Sequence, residues 1–161
     1  MKIAILGVGN ILLKDEGIGV RVVQQLESGY SFPPNIALID GGTAGPHLLD
    51  LFSDYDDIII IDAVQGGEQP GTLYRFRPDQ ITSDSSMGLS IHQMGVMEVL
   101  SQARLLGKKP TVTIIGIEPQ DISAWGMELS PVIEQKIPEL IARVLEELSK
   151  RQLKGRIEKR V

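Results

Sequence analysis

The chain has 161 residues, of which 42% are hydrophobic and 23% are charged, a composition typical of one soluble globular domain. It contains no cysteine, which excludes disulfides and a thiol nucleophile and favours a reducing compartment. Its apolar runs are too short to span a bilayer, and the N-terminal segment lacks the pattern of a secretory signal. We therefore expect a cytoplasmic protein that does not bind membranes.

The net charge of −5 is unevenly distributed along the chain. Residues 149–161 contain six Lys or Arg and one Glu, so this basic C-terminal tail carries +5 while residues 1–148 carry −10. The acidic body argues against nucleic-acid binding. We expect residues 1–148 to form the folded domain and the basic tail to be a solvated helix end that frays into disorder, with docking to an acidic partner as the alternative.

Short β-branched apolar runs alternate with helical patterns, which predicts a single-domain α/β sandwich with a mostly parallel sheet. The predicted strands are residues 2–6, 36–39, 58–61, 72–76 and 111–117. The first two predicted helices span residues 16–28 and 45–52. A third begins at the capping box Ser90-Ile91-His92-Gln93, and the last begins at Ser130-Pro131, with a kink or break expected at Pro138.

The glycine-rich segment Gly7-Val8-Gly9-Asn10 follows the first predicted strand. A dinucleotide-binding loop needs a third glycine at position 12, where the chain has Leu12, and an acidic residue about 20 positions further on. Asp40 lies 33 residues beyond Gly7. The segment therefore favours a tight turn over a nucleotide site. The chain also has no nucleophile elbow and no P-loop.

Three potential metal ligands, Glu16, Asp62 and His92, lie where predicted strands give way to helices or loops. The carboxyl ends of parallel strands meet at one edge of a sheet, so these side chains are expected to converge. Two carboxylates and one imidazole favour a first-row transition metal. Each residue also has a structural alternative: Glu16 as a first-turn helix acid, Asp62 as a turn cap, and His92 as a polar residue bonded to backbone.

A second constellation at the same edge is Asp40-Gly41-Gly42-Thr43. Its glycines would let backbone approach a ligand, while Asp40 offers an acceptor and Thr43 a hydroxyl. The alternative is a flexible turn in which Thr43 caps the next helix. His47 is interpreted as a surface residue of that short helix.

Taken together, these motifs resemble the endopeptidases that mature NiFe-hydrogenases. The matching stretches span most of residues 1–148 and are Gly7-Val8-Gly9-Asn10-Ile11-Leu12, Asp15-Glu16-Gly17-Ile18-Gly19-Val20, Asp40-Gly41-Gly42-Thr43, Asp62-Ala63, Pro70-Gly71-Thr72, His92-Gln93-Met94-Gly95 and Gly116-Ile117-Glu118-Pro119. The resemblance implies a twisted five-stranded sheet sandwiched between helices. It also implies an enzyme that removes a C-terminal extension from the nickel-loaded precursor of a hydrogenase large subunit.

By this resemblance Glu16, Asp62 and His92 contact nickel, and the loop with Asp40 and Thr43 belongs to the cleavage region. The implied cofactor is nickel contributed by the precursor, which zinc or cadmium can replace in crystals. Asp40 is the candidate general base or water-orienting group. The implied partner is the nickel-loaded precursor, and nothing in the sequence demands more than a monomer. The rival hypotheses are a non-catalytic checkpoint that binds the nickel site without cutting and a nucleotide-dependent enzyme that uses the Gly7–Gly9 loop.

Overall fold

The computed structural model describes the backbone of residues 1–42, 47–78 and 91–161, and the side chains of these residues except 91–95. These described residues form seven strands: β1 (Ile3–Val8), β2 (Tyr30–Ser31), β3 (Ile36–Gly42), β4 (Asp57–Ala63), β5 (Leu73–Phe76), β6 (Thr111–Ile117) and β7 (Glu158–Lys159). A 3-10 helix (Lys14–Gly17) precedes the α-helices α1 (Ile18–Gly29), α2 (Leu48–Asp54), α3 (Ile91–Leu105), α4 (Pro131–Glu134) and α5 (Ile137–Ser149). Within these ranges no helix has the length and apolar character needed to cross a bilayer.

The main sheet has five strands in the order β3-β1-β4-β6-β5. Every neighbouring pair is parallel except β5 and β6, so the expectation of a single domain with a mostly parallel five-stranded sheet is confirmed. All residues of β1 and β4 are buried, because helices cover both faces of the sheet. Alternate side chains of each strand contribute to two separate cores, one under α1 and α5 and the other under α2 and α3.

The helix boundaries refine three expectations. The helix expected from residue 16 begins as a 3-10 turn and becomes an α-helix only at Ile18. The last helix is split as predicted. Pro138 lies in the first turn of α5, where a backbone N–H has no acceptor within the helix, so the missing N–H of proline costs no helical hydrogen bond. Ser130 does precede α4, but its hydroxyl makes no capping bond and donates to Asp15 instead. The capping box at Ser90 begins outside the described residues.

The strand order creates a crevice at the carboxyl ends of β1 and β4. The chain leaves β1 through α1 towards β3 on one side, and it leaves β4 towards β5, α3 and β6 on the other. Adjacent parallel strands whose connections diverge in this way open a ligand-binding crevice between their exit loops. We call this side of the sheet the carboxyl edge.

The basic tail is ordered, so the expectation of a frayed end is wrong. Its strand β7 pairs antiparallel with β2, which aligns Lys159 with Tyr30. The backbone N–H of Arg160 donates to the carbonyl of Gly29 at 2.8 Å, and its guanidinium donates to the carbonyl of Tyr30 at 3.0 Å. The charge pattern of the tail did not predict its ordered structure, because that structure depends on partners that lie more than a hundred residues away.

A buried ion-pair network attaches the start of the tail to the sheet. Arg151 donates to Asp57 at 2.7 Å and to Glu147 at 3.0 Å, and all three side chains are nearly excluded from solvent. Arg75 and Lys150 also donate to Glu147. Burial is the largest influence on Glu147 and raises its pKa, but the three cationic donors together outweigh it and lower the pKa to about 2 from 4.5. Glu147 therefore stays ionised inside the protein.

Glu147→Gln should destabilise the protein by about 3 kcal/mol at pH 7, because it removes one of the two carboxylates that neutralise the buried Arg151 and the carboxylate that pairs with the partly exposed Arg75 and Lys150. A depressed pKa contributes stability that is fully present above the unfolded value of 4.5 and is lost as pH falls towards 2. Urea unfolding between pH 7 and pH 2 should therefore show a weaker acid dependence in the variant. Glu146→Gln, at the exposed neighbouring position, is the control. Equal stabilities for the two variants would contradict the role of the network.

Candidate functional site

Two of the three predicted metal ligands lie together at the carboxyl edge. Asp62 is only 2% exposed and lies near the end of β4, on the same face as Ile58 and Ile60, which belong to the core under α2 and α3. Glu16 is partly exposed and belongs to the 3-10 helix, which contacts β4. The structure thus brings a residue after β1 and a residue of β4 into one crevice.

The electrostatics of Asp62 agree with this proximity. Burial raises the pKa of Asp62 well above its usual value, the hydrogen bond from the N–H of Ala63 at 2.8 Å lowers it, and the nearby charge of Glu16 raises it further. A buried carboxylate beside a second carboxylate is an unfavourable arrangement that a bound cation would relieve. The turn-cap alternative for Asp62 is also realised, because one carboxylate oxygen accepts a hydrogen bond from the N–H of Ala63.

His92 belongs to the first turn of α3. Because α3 ends only six residues before β6 begins, the helix runs antiparallel to β6 and its first turn lies towards the carboxyl edge. The side chain of His92 and the whole of Thr43 lie outside the described residues, so their participation stays a prediction. Among the side chains that the structure does describe, no three acids or imidazoles are grouped to hold a metal ion.

Glycines allow the chain to fold this closely over the sheet. Gly9 has a φ of +128°, and a Cβ atom there would lie 1.8 Å from the carbonyl oxygen of Glu16. A Cβ on Gly19 would lie 2.1 Å from the carbonyl oxygen of Ile61. The N–H of Gly9 donates to Gly42 at 2.8 Å and is not available to a phosphate. These glycines therefore serve close packing and a tight turn, and the nucleotide hypothesis loses its support.

Asp40 is exposed on β3, beside Gly7 of β1. The strand continues to Gly42 with Gly41 as an extra bulged residue, so this part of the motif is sheet and not a flexible turn. One oxygen of Asp40 accepts a hydrogen bond from the N–H of Gly42 at 3.0 Å. Asp40 also lines a shallow depression of about 180 Å³, together with Gly9, Asn10, Ile11, Val20 and Gly42.

Asp15 is a site residue whose role the sequence did not predict. It is fully buried, and its carboxylate accepts hydrogen bonds from the backbone of Ser130 at 2.7 Å, Asp121 at 2.8 Å and Gln120 at 3.0 Å. The hydroxyl of Ser130 adds a fourth bond at 2.8 Å. Asp15 thus fastens the loop after β6 to the 3-10 helix that carries Glu16. Nothing in the sequence distinguishes this acid from its neighbour, because the partners lie more than a hundred residues away.

Glu118 plays the same part on the other side of the crevice. One of its oxygens accepts hydrogen bonds from the backbone of Gly66 and Glu68 and from the hydroxyl of Tyr74, each at 2.9 Å. Burial and the bond to Glu118 raise the pKa of Tyr74 to about 12, so the phenol remains a donor at neutral pH. The loop that follows Asp62 is therefore fixed by a second buried acid.

Asp62→Asn should stabilise the metal-free protein by about 1 kcal/mol, which corresponds to a melting temperature higher by about 3 °C. The amide oxygen can still accept from Ala63, while the buried charge beside Glu16 is removed. Differential scanning calorimetry at pH 7 with a chelator measures this, with exposed Asp54→Asn as the control. A lower melting temperature for Asp62→Asn than for the control would contradict the unfavourable contact.

The chain is similar to known proteins over most of its length. A family model for hydrogenase maturation proteases matches residues 20–147, a range that includes Asp62 and Asp40 but begins after Glu16. The chain is 39% identical to the hydrogenase 2 maturation protease of Escherichia coli K12, over 90% of this chain and 89% of that protein. It is also 39% identical to the hydrogenase expression/formation protein HupD of Bradyrhizobium diazoefficiens, over 84% of this chain and 72% of HupD.

The solved structures include a close match of the whole fold. The hydrogenase maturating endopeptidase HybD from E. coli superposes with a TM-score of 0.88 at 37% identity, covering 99% of this chain and 98% of that chain. Sequence identity at this level over almost the full length, together with the family model, exceeds what a shared fold alone would give. The chain belongs to the hydrogenase maturation protease family.

Proposed function

We propose that this protease is a nickel-dependent endopeptidase that removes the C-terminal extension of a NiFe-hydrogenase large-subunit precursor after nickel insertion. The observation that carries the proposal is the placement of Glu16 beside the buried Asp62 at the carboxyl edge, in a chain of this protease family. Nickel would arrive as part of the substrate, so that cleavage depends on the metal having been loaded.

The donor set at this edge suits a divalent cation. Two carboxylates would neutralise its charge, and the imidazole of His92 would add the nitrogen that favours a transition metal over calcium or magnesium. Three protein ligands leave further coordination positions open for groups of the precursor. Zinc or cadmium would fill the same ligands when nickel is absent. Bound metal would position the scissile peptide and polarise its carbonyl.

Different residues of this chain would then carry out different steps of peptide hydrolysis. Glu16 and Asp62 hold the metal-bearing part of the precursor against the crevice. Asp40, exposed on β3 and separated from β4 by β1, orients a water molecule and accepts one of its protons as the oxygen attacks the carbonyl carbon. That proton passes to the leaving amide nitrogen when the C–N bond breaks. Thr43 follows the same strand and supplies a hydroxyl to the cleavage region.

Glu16→Gln or His92→Ala should slow trimming of nickel-loaded precursor by at least about 100-fold, because each removes a metal contact. Mass spectrometry of the precursor follows the loss of its C-terminal extension. Glu27→Gln and His47→Ala, both at exposed positions, are the matched controls. Normal trimming by Glu16→Gln would overturn the proposed mechanism. Wild-type protein that binds precursor without ever shortening it would support the checkpoint hypothesis instead.

Asp40→Asn should slow cleavage by about 100-fold or more and leave association with the precursor intact, because the amide cannot accept the proton from water. Single-turnover cleavage and a separate binding titration distinguish the two effects. Asp50→Asn, at an exposed position of α2, is the control. Weaker binding with an unchanged cleavage rate would refute the assignment of Asp40.

A further inference from the structure

Three large apolar side chains are exposed on two neighbouring loop segments. Trp125 is 75% exposed, Met127 is 57% exposed and Leu12 is 46% exposed. We call these three residues the apolar patch. A single exposed apolar side chain is ordinary, but a cluster that includes tryptophan is typical of a surface that binds another protein.

The backbone holds the two segments side by side. The N–H of Gly126 donates to the carbonyl of Leu12 at 2.8 Å, and the N–H of Lys14 donates to the carbonyl of Gly126 at 2.9 Å. This forms a parallel bridge between Leu13 and Gly126. Leu12 therefore lies next to Trp125 across the bridge, and Met127 continues the same segment.

The loop that carries the apolar patch is firmly attached to the rest of the protein. The four hydrogen bonds to Asp15 hold it at Gln120, Asp121 and Ser130. Arg21 of α1 donates to the carbonyl of Met127 at 2.9 Å. The apolar side chains are thus presented by an ordered backbone, which lowers the entropy lost when a partner binds them.

The apolar patch is continuous with the candidate active site. Leu12 lies on the segment that runs from Asn10, which lines the depression beside Asp40, to Glu16 in the crevice. The side chain of Asn10 accepts a hydrogen bond from the N–H of Leu12 at 2.9 Å, which fixes the segment between these two points. A polypeptide bound on the patch would therefore lie beside the segment that connects the depression at Asp40 with Glu16.

We propose that the apolar patch is a docking surface for an apolar stretch of the precursor polypeptide that flanks the scissile bond. The inference rests on the proposed function, because it takes the substrate of that site as the occupant. The position of the patch favours this occupant over a second copy of the chain, which would obstruct the carboxyl edge if it bound there. Docking on the patch supplies affinity and alignment, while Glu16 and Asp62 hold the metal-bearing part of the precursor and Asp40 acts at the scissile peptide.

Trp125 is the only tryptophan of the chain, so fluorotryptophan labelling gives the protein a single fluorine NMR signal at the patch. Unlabelled nickel-loaded precursor should shift or broaden this signal. The double variant Trp125→Ala/Met127→Ala should raise the KM for precursor by about 30-fold with an unchanged kcat, the effect expected when binding contacts outside the reacting groups are lost. Circular dichroism verifies that the variant is folded.

The matched control is Leu105→Ala/Leu106→Ala, which removes two apolar side chains that are 88% and 66% exposed at the far end of α3. It should leave the KM unchanged.

If wild-type protein cleaves precursor while the fluorine signal stays fixed and the double variant keeps a normal KM, the docking proposal is overturned and the proposed function stands. A signal that shifts with protein concentration in the absence of precursor would assign the patch to self-association and overturn the proposal as well. Absence of cleavage by wild-type protein would instead count against the proposed function, and the fluorine titration would still decide whether precursor binds the patch.

Discussion

The close approach between the start of α1 and the carboxyl ends of β1 and β4 is the constraint on which the site depends. At Gly9 and Gly19 a Cβ atom would overlap backbone oxygens of Glu16 and Ile61. Only residues without a side chain permit the chain to turn back over the sheet at this distance. That contact brings the backbone of Glu16 over the end of β1 and sets its carboxylate near Asp62. The geometry of the crevice therefore originates in glycines that take no part in the chemistry.

The buried acids of this protein have different roles, and the role of each depends on the donors and charges that surround it. Asp15 and Glu118 are satisfied by donors from neighbouring loops and act as anchors for those loops. Glu147 is surrounded by cations, which keep it ionised in spite of its burial. Among the described residues, Asp62 accepts one backbone hydrogen bond, from Ala63, and has a second acid nearby, so its charge is the least well compensated of the four. An uncompensated buried carboxylate at a crevice is typical of a functional group, whereas fully bonded ones are structural.

The hydrogen bonds to the buried acids Asp15 and Glu118 hold the loops around the crevice in place and also stabilise the fold. The segment after β6 is held by Asp15 and reaches past Glu16 to present Trp125 and Met127 at the surface. The proposed docking surface would therefore depend on one buried carboxylate, because the loop that bears the apolar patch cannot be displaced without breaking its bonds to Asp15.

The sequence by itself determined the α/β class, the five main strands, the break near Pro138 and the family motifs, because these follow from local periodicity, proline geometry and short-range spacing. It also identified Glu16 and Asp62 as candidates that share one edge, since parallel strands align their carboxyl ends. Only the tertiary structure decided that Asp15 anchors the loop after β6, that Ser130 bonds to Asp15 and does not cap a helix, and that the basic tail is held by Asp57 and Glu147. Each of these depends on contacts between residues far apart in the chain, and local sequence patterns carry no information about such partners.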